Sequence, residues 1–167
     1  MSEQNFNWQQ KNNTKVGVRV YIGSDHAGFE MKRELASFLL ENGQEVIDCG
    51  PATYVHEDDY PDYVSIVAEK ISNDAEARGI VIGRNGQGEA IVCNRFPRVR
   101  CAVFYGGSKH MITLSREHDD ANIISLGSSF LTTQEAKEAV LLFLHTKFSG
   151  DERHIRRIKK IEKYDNS

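Results

Sequence analysis

The chain has few cysteines, no long apolar run and little net charge, and each of these shortages excludes a class of protein. Cys49, Cys93 and Cys101 are an odd number without the spacing of zinc ligands, so we expect free thiols in a reducing compartment. No apolar run approaches the ~20 residues of a membrane span. A net charge of −3 gives no reason to expect nucleic acid as a partner. The sequence therefore predicts a cytoplasmic protein that binds neither membrane nor nucleic acid.

The length of 167 residues predicts a single domain, since domains cluster at roughly 100–200 residues. Residues 1–15 are rich in asparagine and glutamine and lack the apolar core of a signal peptide, so we interpret them as a disordered N-terminal extension. Residues 16–164 then form the domain. Its basic residues concentrate in a last predicted helix at about 151–164, which is either a solvated face or a site for an anionic ligand.

Runs of β-forming residues alternate with helical patterns five times along the chain. The predicted strands are 18–22, 45–48, 79–82, 100–104 and 122–126. This alternation predicts an α/β fold, a three-layer doubly wound five-stranded parallel sheet of the Rossmann-like or flavodoxin-like kind. Because the carboxyl ends of parallel strands meet at one edge, we expect the turns that hold Asp25 and His26, residues 85–89 and residues 106–108 to lie there together.

A glycine-rich turn follows the third predicted strand and precedes a short predicted helix. Its glycines are Gly83, Gly86 and Gly88, and Glu89 falls in the first turn of the helix. Backbone N–H groups converge at such a helix start, so the turn could hold a phosphate, or a developing enolate oxygen beside a carboxylate base. The spacing is neither that of a dinucleotide-binding loop nor that of a P-loop. The alternative interpretation is therefore not excluded: the turn is purely structural, and Glu89 is an acid at a position that the helix dipole favours.

Four segments occur in the order in which a known family carries similar ones. They are GSDHAGFEMK at 23–32, DDYP at 58–61, SREHDDAN at 115–122 and RHIRRI at 153–158. Through them, about 16–164 of the chain resembles the type B ribose-5-phosphate isomerases, which are grouped with the galactose-6-phosphate isomerase subunits. The resemblance implies an enzyme without metal or cofactor that interconverts an aldose phosphate and a ketose phosphate through a cis-enediolate. Ribose 5-phosphate and ribulose 5-phosphate are the first candidates for this pair.

The resemblance assigns the proton transfer to Glu89. Many members place a catalytic cysteine directly after the third strand, where this chain has Gly83, and the chain is instead similar to the branch that uses a glutamate on the glycine loop. An ordinary glutamate is ionised at neutral pH and can act as a base. Backbone amides of the loop would hold the enediolate. They belong to Asn85, Gly86, Gln87, Gly88 and Glu89.

Four further residues match substrate-side positions of the family. His118 matches the residue that opens the sugar ring, a task that suits an imidazole because it can take a hydroxyl proton. Asp25 matches a contact to the substrate hydroxyls that assists ring opening, and its position also permits a helix N-cap, so both roles can hold. His26 matches a residue near the phosphate. Tyr60 matches a substrate-side tyrosine, although packing alone would also explain it.

Arg153 and Arg157 match the arginines with which the family binds phosphate. Their i, i+4 spacing puts both on one helix face, and the guanidinium fork suits phosphate oxygens. An ordinary basic surface helix would show the same spacing. In the family this helix crosses to the partner of a homodimer, and each site is built from two subunits. We therefore expect a homodimer with shared sites, and a tetramer of such dimers stays open.

The chain departs from the family at the places where substrate is recognised. The family commonly has an arginine where this chain has Ser129, so one phosphate ligand is missing. Asp119 stands where the residue after the ring-opening histidine is usually asparagine, and an ionised carboxylate can only accept hydrogen bonds. Arg84 and Asn85 stand where small residues are usual. Arg84 either replaces the missing charge or crowds the site.

These departures leave three functions open. The first is an aldose–ketose isomerase of a sugar phosphate. The second is an isomerase of a different hexose phosphate or of an unphosphorylated sugar. The third is a phosphosugar-binding protein without catalysis. Glu89, His118 and Asp25 favour an enzyme, because a binding protein needs neither a base nor a ring-opening histidine.

Overall fold

The computed structural model describes residues 17–165, and the predicted extension at 1–15 lies outside them. The strands are β1 (Arg19–Ser24), β2 (Glu45–Asp48), β3 (Arg78–Gly83), β4 (Cys101–Phe104) and β5 (Ile123–Gly127). The helices are α1 (Phe29–Glu41), α2 (Tyr60–Asn73), α3 (Gln87–Cys93), α4 (His110–Asp119), α5 (Thr133–His145) and α6 (Glu152–Ile161). The strands pair in parallel in the order β2-β1-β3-β5-β4, which confirms the predicted fold class.

The bounds of β2 are the predicted ones, whereas each of the other four strands differs from its prediction by one or two residues at one or both ends. The apolar pattern predicted the end of β1 at residue 22, but the strand continues to Ser24 because Ser24 stays in register with Ile82 of β3. Likewise β3 and β5 each extend to a glycine, Gly83 and Gly127, which pair with each other. Partner strands, rather than local hydrophobicity, therefore decide where these strands end.

Two apolar layers cover the sheet because neighbouring residues of a strand point to opposite faces. Ile80 and Ile82 of β3 pack with α1, α4 and α5, whereas Val81 packs with α2 and α3. Leu35 and Leu39, one turn apart on α1, are fully buried on the first face. Burial of such a side chain contributes about 2 kcal/mol, so the α1 stripe alone is a substantial part of that layer.

All strands run in one direction, so their carboxyl ends lie at one side of the sheet and their amino ends at the opposite side. Segments that follow strands lie at what we call the carboxyl edge, and segments that follow α1 to α5 lie at the amino edge, because each of these helices runs back antiparallel to the strands. At the amino edge, the Asn122 N–H donates to the Arg100 carbonyl at 2.9 Å, just before β5 and β4 begin. Strands of four to six residues separate the two edges by roughly 13–20 Å.

Within residues 17–165, none of the helices combines the length and the apolar character that crossing a bilayer requires.

Candidate active site

Asp25 caps the short 3-10 turn that follows β1. Its Oδ1 accepts hydrogen bonds from the N–H groups of Ala27 at 3.0 Å and Gly28 at 3.2 Å. The other carboxylate oxygen, Oδ2, lies 4.0 Å from Nδ1 of His26. The N-cap interpretation is thus confirmed, and one oxygen of Asp25 remains for a second partner at the carboxyl edge.

The glycine loop between β3 and α3 is held from both sides. The Asn85 side chain accepts a hydrogen bond from the Gln87 N–H at 2.9 Å, and the Ser125 hydroxyl donates to the Gly86 carbonyl at 2.7 Å. Gly86 has φ +78°, a conformation that costs a residue with a Cβ free energy. The loop is therefore a preorganised turn that points the start of α3 at the carboxyl edge.

Glu89 is only 4% exposed, in the first turn of α3. A Cβ added at Gly83 would overlap the Glu89 carboxylate, so the acid occupies the space that a side chain at position 83 would fill. Burial raises the pKa of Glu89, its own backbone N–H partly offsets this, and the charge of Asp25 raises the pKa further. A buried carboxylate with a raised pKa is a stronger base once it is ionised.

Tyr60 packs on the glycine loop from the start of α2. A Cβ added at Gly88 would lie 2.7 Å from the Tyr60 hydroxyl oxygen, so Gly88 is needed for this contact. The ring is partly exposed at the carboxyl edge. Tyr60 therefore lies against the glycine loop at the start of α3, where it can both support the loop and contact a ligand.

His26 is held by Asp58, a residue that the sequence did not single out. Oδ1 of Asp58 lies 2.7 Å from Nδ1 of His26 and also accepts the His26 backbone N–H at 2.9 Å. The Asp58 side chain is only 3% exposed. The only indication of a role for Asp58 in the sequence is its place in the DDYP segment. No local sequence pattern relates it to His26, which lies 32 residues away in the chain.

Asp25, His26 and Asp58 each offer one ligand atom within 4.8 Å of the others, so they could also hold a metal ion. The hydrogen bond between His26 and Asp58 already accounts for the closeness of two of the three.

Arg84 and Ser129 lie side by side at the carboxyl edge. The Ser129 N–H donates to the Arg84 carbonyl at 3.0 Å, and the Ser128 N–H donates to the Gly83 carbonyl at 2.8 Å. The Arg84 side chain is exposed and has no partner among residues 17–165. The cation in the glycine loop is thus next to the position where the family commonly carries an arginine.

His118 lies at the amino edge, in the last turn of α4, and not beside Glu89 of the same chain. Its ring is 4.3 Å from that of His154, measured between centroids. His154 is buried, and its Nδ1 lies 2.8 Å from the Ser149 hydroxyl. Burial lowers the pKa of His154, and the neighbouring His118 lowers it further. Asp119, exposed beside His118, shares this edge.

Arg153 and Arg157 are exposed on α6, the helix that leaves the amino edge. Arg153 lies 3.7 Å from the carboxylate of Asp151, an exposed pair that holds it weakly. The predicted site residues therefore form two groups in one chain. Glu89, its glycine loop, Asp25, His26 and Tyr60 share the carboxyl edge, and His118, Asp119, Arg153 and Arg157 share the amino edge.

The three cysteines are free thiols. Burial raises the pKa of Cys49, and contact with the Cys93 thiol, together with burial, raises the pKa of Cys101. A thiol with a raised pKa carries little thiolate at neutral pH. Cys49 and Cys101 are thus poor candidates for a nucleophile or base at neutral pH.

Comparison with known proteins gives matches in both sequence and structure. The model of the Ribose/Galactose Isomerase family matches residues 20–161. Ribose-5-phosphate isomerase B of Mycolicibacterium paratuberculosis is 39% identical over 150 residues, which cover 90% of this chain and 93% of the relative. The crystal structure of ribose-5-phosphate isomerase B from Mycoplasma genitalium with bound ribulose-5-phosphate is similar, with a TM-score of 0.86 at 34% identity, covering 92% of this chain and 99% of the other. The structure of the Clostridium thermocellum enzyme has a TM-score of 0.83 at 40% identity, covering 89% and 98%.

Proposed function

Because the chain belongs to the ribose/galactose isomerase family, we propose that it interconverts ribose 5-phosphate and ribulose 5-phosphate with Glu89 as the base. The family makes it an aldose–ketose isomerase of a sugar phosphate. The choice of the ribose pair is supported by the similar Mycoplasma genitalium structure, which carries ribulose-5-phosphate. The observation that carries the assignment of the base is the burial of Glu89 in the space beside Gly83.

The proton transfer follows from the chemistry of the glycine loop. Glu89 takes the proton from C2 of the open-chain aldose, and the electron pair of that bond forms the C1–C2 double bond of a cis-enediolate. Amides of residues 85–89 stabilise the negative oxygen that results. The proton of the C2 hydroxyl passes to the oxygen on C1, and Glu89 delivers its own proton to C1 as C2 becomes the ketone carbon. Atoms and charge balance without any other reactant.

The other half of each site comes from a second copy of the chain in this proposal. His118 would open the sugar ring, yet it lies at the edge opposite Glu89, so an isologous dimer that places one subunit's amino edge on its partner's carboxyl edge completes two identical sites. Exposed apolar residues support such a contact. They are Tyr105 and Phe130, whose rings lie 6.0 Å apart near the carboxyl edge, and Ile155 and Ile161 on α6.

The phosphate would meet Arg153 and Arg157 from α6, and His26 and Arg84 from the carboxyl edge. Arg84 has a free guanidinium within the described part of the chain and is hydrogen bonded through its backbone to Ser129. We therefore favour replacement of the missing arginine by Arg84 over crowding of the site. Asp119 would face the sugar beside His118 as a hydrogen-bond acceptor.

Replacement of Arg84 by Ala is expected to raise the KM for ribose 5-phosphate about ten- to a hundred-fold, because a charge-assisted hydrogen bond contributes about 1.5–3 kcal/mol. The kcat should change less, since Glu89 and the loop amides remain. Adding Ser129→Arg to the Arg84→Ala variant is expected to recover most of the lost affinity. Steady-state kinetics of the three proteins measures this, with Ser129→Ala as the control. An equal loss with unphosphorylated ribose would instead show that Arg84 only shapes the loop.

Proton NMR in deuterated water tests the function itself. Incubation with ribose 5-phosphate is expected to give ribulose 5-phosphate with deuterium exchanged at the reacting carbon. Allose 6-phosphate and unphosphorylated ribose, run in parallel, rank a hexose phosphate and a free sugar against it. Faster turnover of either would replace ribose 5-phosphate as the substrate. Tight binding without exchange would favour a phosphosugar-binding protein.

A further inference from the structure

Asp58 is a buried acid at the carboxyl edge to which the proton transfer assigns no task. It lies in the loop between β2 and α2, and one oxygen, Oδ1, accepts both the backbone N–H and the ring Nδ1 of His26. The other oxygen, Oδ2, is buried and has no hydrogen-bond partner within residues 17–165. A buried carboxylate in this state costs free energy unless a positive charge lies close to it.

His26 supplies that charge when it is doubly protonated. With Nδ1 held by Asp58, the ring presents Nε2 as the nitrogen left for a ligand, and the ring is 29% exposed. Two other groups face it. Asp25 Oδ2 lies 4.0 Å from Nδ1, and the ring of His56 stacks on it at 6.1 Å between centroids. The His26 ring therefore has the carboxylates of Asp58 and Asp25 near Nδ1, and its Nε2 is left for a ligand.

We propose that Asp58 is a positioning residue that holds His26 with a proton on Nδ1, so that Nε2–H can donate to the phosphate of the substrate. The inference rests on the proposed function, in which His26 contacts that phosphate. A phosphate oxygen accepts hydrogen bonds, so Nε2 must carry a proton in the complex and the ring is then an imidazolium. The Asp58 carboxylate compensates this charge from the buried side, in the manner of the carboxylate–histidine pairs that orient metal ligands.

Two substitutions separate the charge of Asp58 from its geometry. Asp58→Asn keeps an oxygen that can accept both hydrogen bonds but removes the negative charge, whereas Asp58→Ala removes both. Asp59→Asn is the matched control, because Asp59 is the adjacent acid, is exposed and makes no side-chain capping hydrogen bond in the described part of the chain. His26→Asn, alone and combined with Asp58→Asn, completes a double-mutant cycle.

Asp58→Asn is expected to weaken binding of inorganic phosphate, followed by titration calorimetry, about ten-fold and to raise the KM for ribose 5-phosphate similarly, with kcat within about two-fold. In the His26→Asn background the same change is expected to cost nothing more. Nitrogen-15 NMR of the His26 ring should show Nδ1 protonated in the native protein and a mixture of tautomers in Asp58→Ala. Asp59→Asn should leave all of these readouts unchanged.

Multiplicative losses in the double mutant, or an unaltered His26 spectrum in Asp58→Ala, would overturn the proposal, because Asp58 would then act independently of His26. Neither phosphate binding nor the ring spectrum requires turnover. If the native protein fails to isomerise ribose 5-phosphate, the proposed function is wrong, and these two measurements still decide the role of Asp58.

Discussion

Glu89→Gln is expected to lower kcat with ribose 5-phosphate by about a hundred- to ten-thousand-fold, the usual contribution of a positioned general base. The KM should change little, because glutamine has nearly the same shape and the contacts to phosphate remain. Stopped-time assays of ribulose 5-phosphate formation measure the loss. Glu34→Gln, an exposed acid on α1, is the control and should keep native activity. If Glu89→Gln keeps most of its turnover, another group is the base.

The raised pKa of Glu89 affects both the pH dependence of kcat/KM and the pH dependence of the stability of the fold. Burial, followed by the charge of Asp25, disfavours the ionised form, so the acid limb of the kcat/KM profile should lie at higher pH than an ordinary glutamate would give. The same shift destabilises the fold at pH values above the unfolded pKa, where the unfolded chain loses this proton more readily. Glu89→Gln should therefore raise the Tm at neutral pH, and the gain should shrink as the pH falls toward 4.

A heterodimer of Glu89→Gln and His118→Ala subunits is expected to recover about half of native activity, although each parent homodimer is nearly inactive. One of its two sites combines both lesions, whereas the other combines an intact carboxyl edge with an intact amino edge. Co-expression with two different affinity tags isolates the heterodimer, and its turnover is compared with that of the native dimer prepared in the same way.

The control for this experiment is a heterodimer of Glu89→Gln and Asp25→Asn subunits. Both residues lie at the carboxyl edge, so each of the two sites carries one lesion and activity should stay near that of the parents. Recovery in this control as well would mean that residues of the carboxyl edge are exchanged between subunits. A Glu89→Gln/His118→Ala heterodimer as inactive as its parents would show that His118 does not complete the partner's site.

Local patterns predict the helices and strands of this fold because each of them is recognised from its own hydrophobic periodicity and from the capping or turn residues at its ends. The α1 stripe that contains Leu35 and Leu39 and the cap at Asp25 are both visible in a few consecutive residues. The glycine loop is also visible locally, as three closely spaced glycines between a predicted strand and a predicted helix, and Gly86 has φ +78° in the fold. Strand ends were predicted less well, because β1 ends where its pairing with β3 ends.

The resemblance placed Glu89, His118 and the two arginines of α6 in sites that two subunits share, but it did not show that His118 lies at the edge of the sheet opposite Glu89. That placement depends on the direction in which α4 runs relative to the sheet, which is a property of the packed chain. The contact between His26 and Asp58 likewise joins residues 32 positions apart. No local period relates them, so only the folded loops bring them together.

The sequence by itself determined the α/β alternation, the carboxyl-edge loops and the presence of an acid at the start of α3, because these follow from short-range periodicity and composition. The tertiary structure decided that this acid lies in the space beside Gly83, that Arg84 adjoins Ser129, and that His118 lies at the opposite edge from Glu89. The physical reason is that contacts between residues distant in the chain depend on how the sheet and both helix layers pack together. A short segment of sequence does not contain that information.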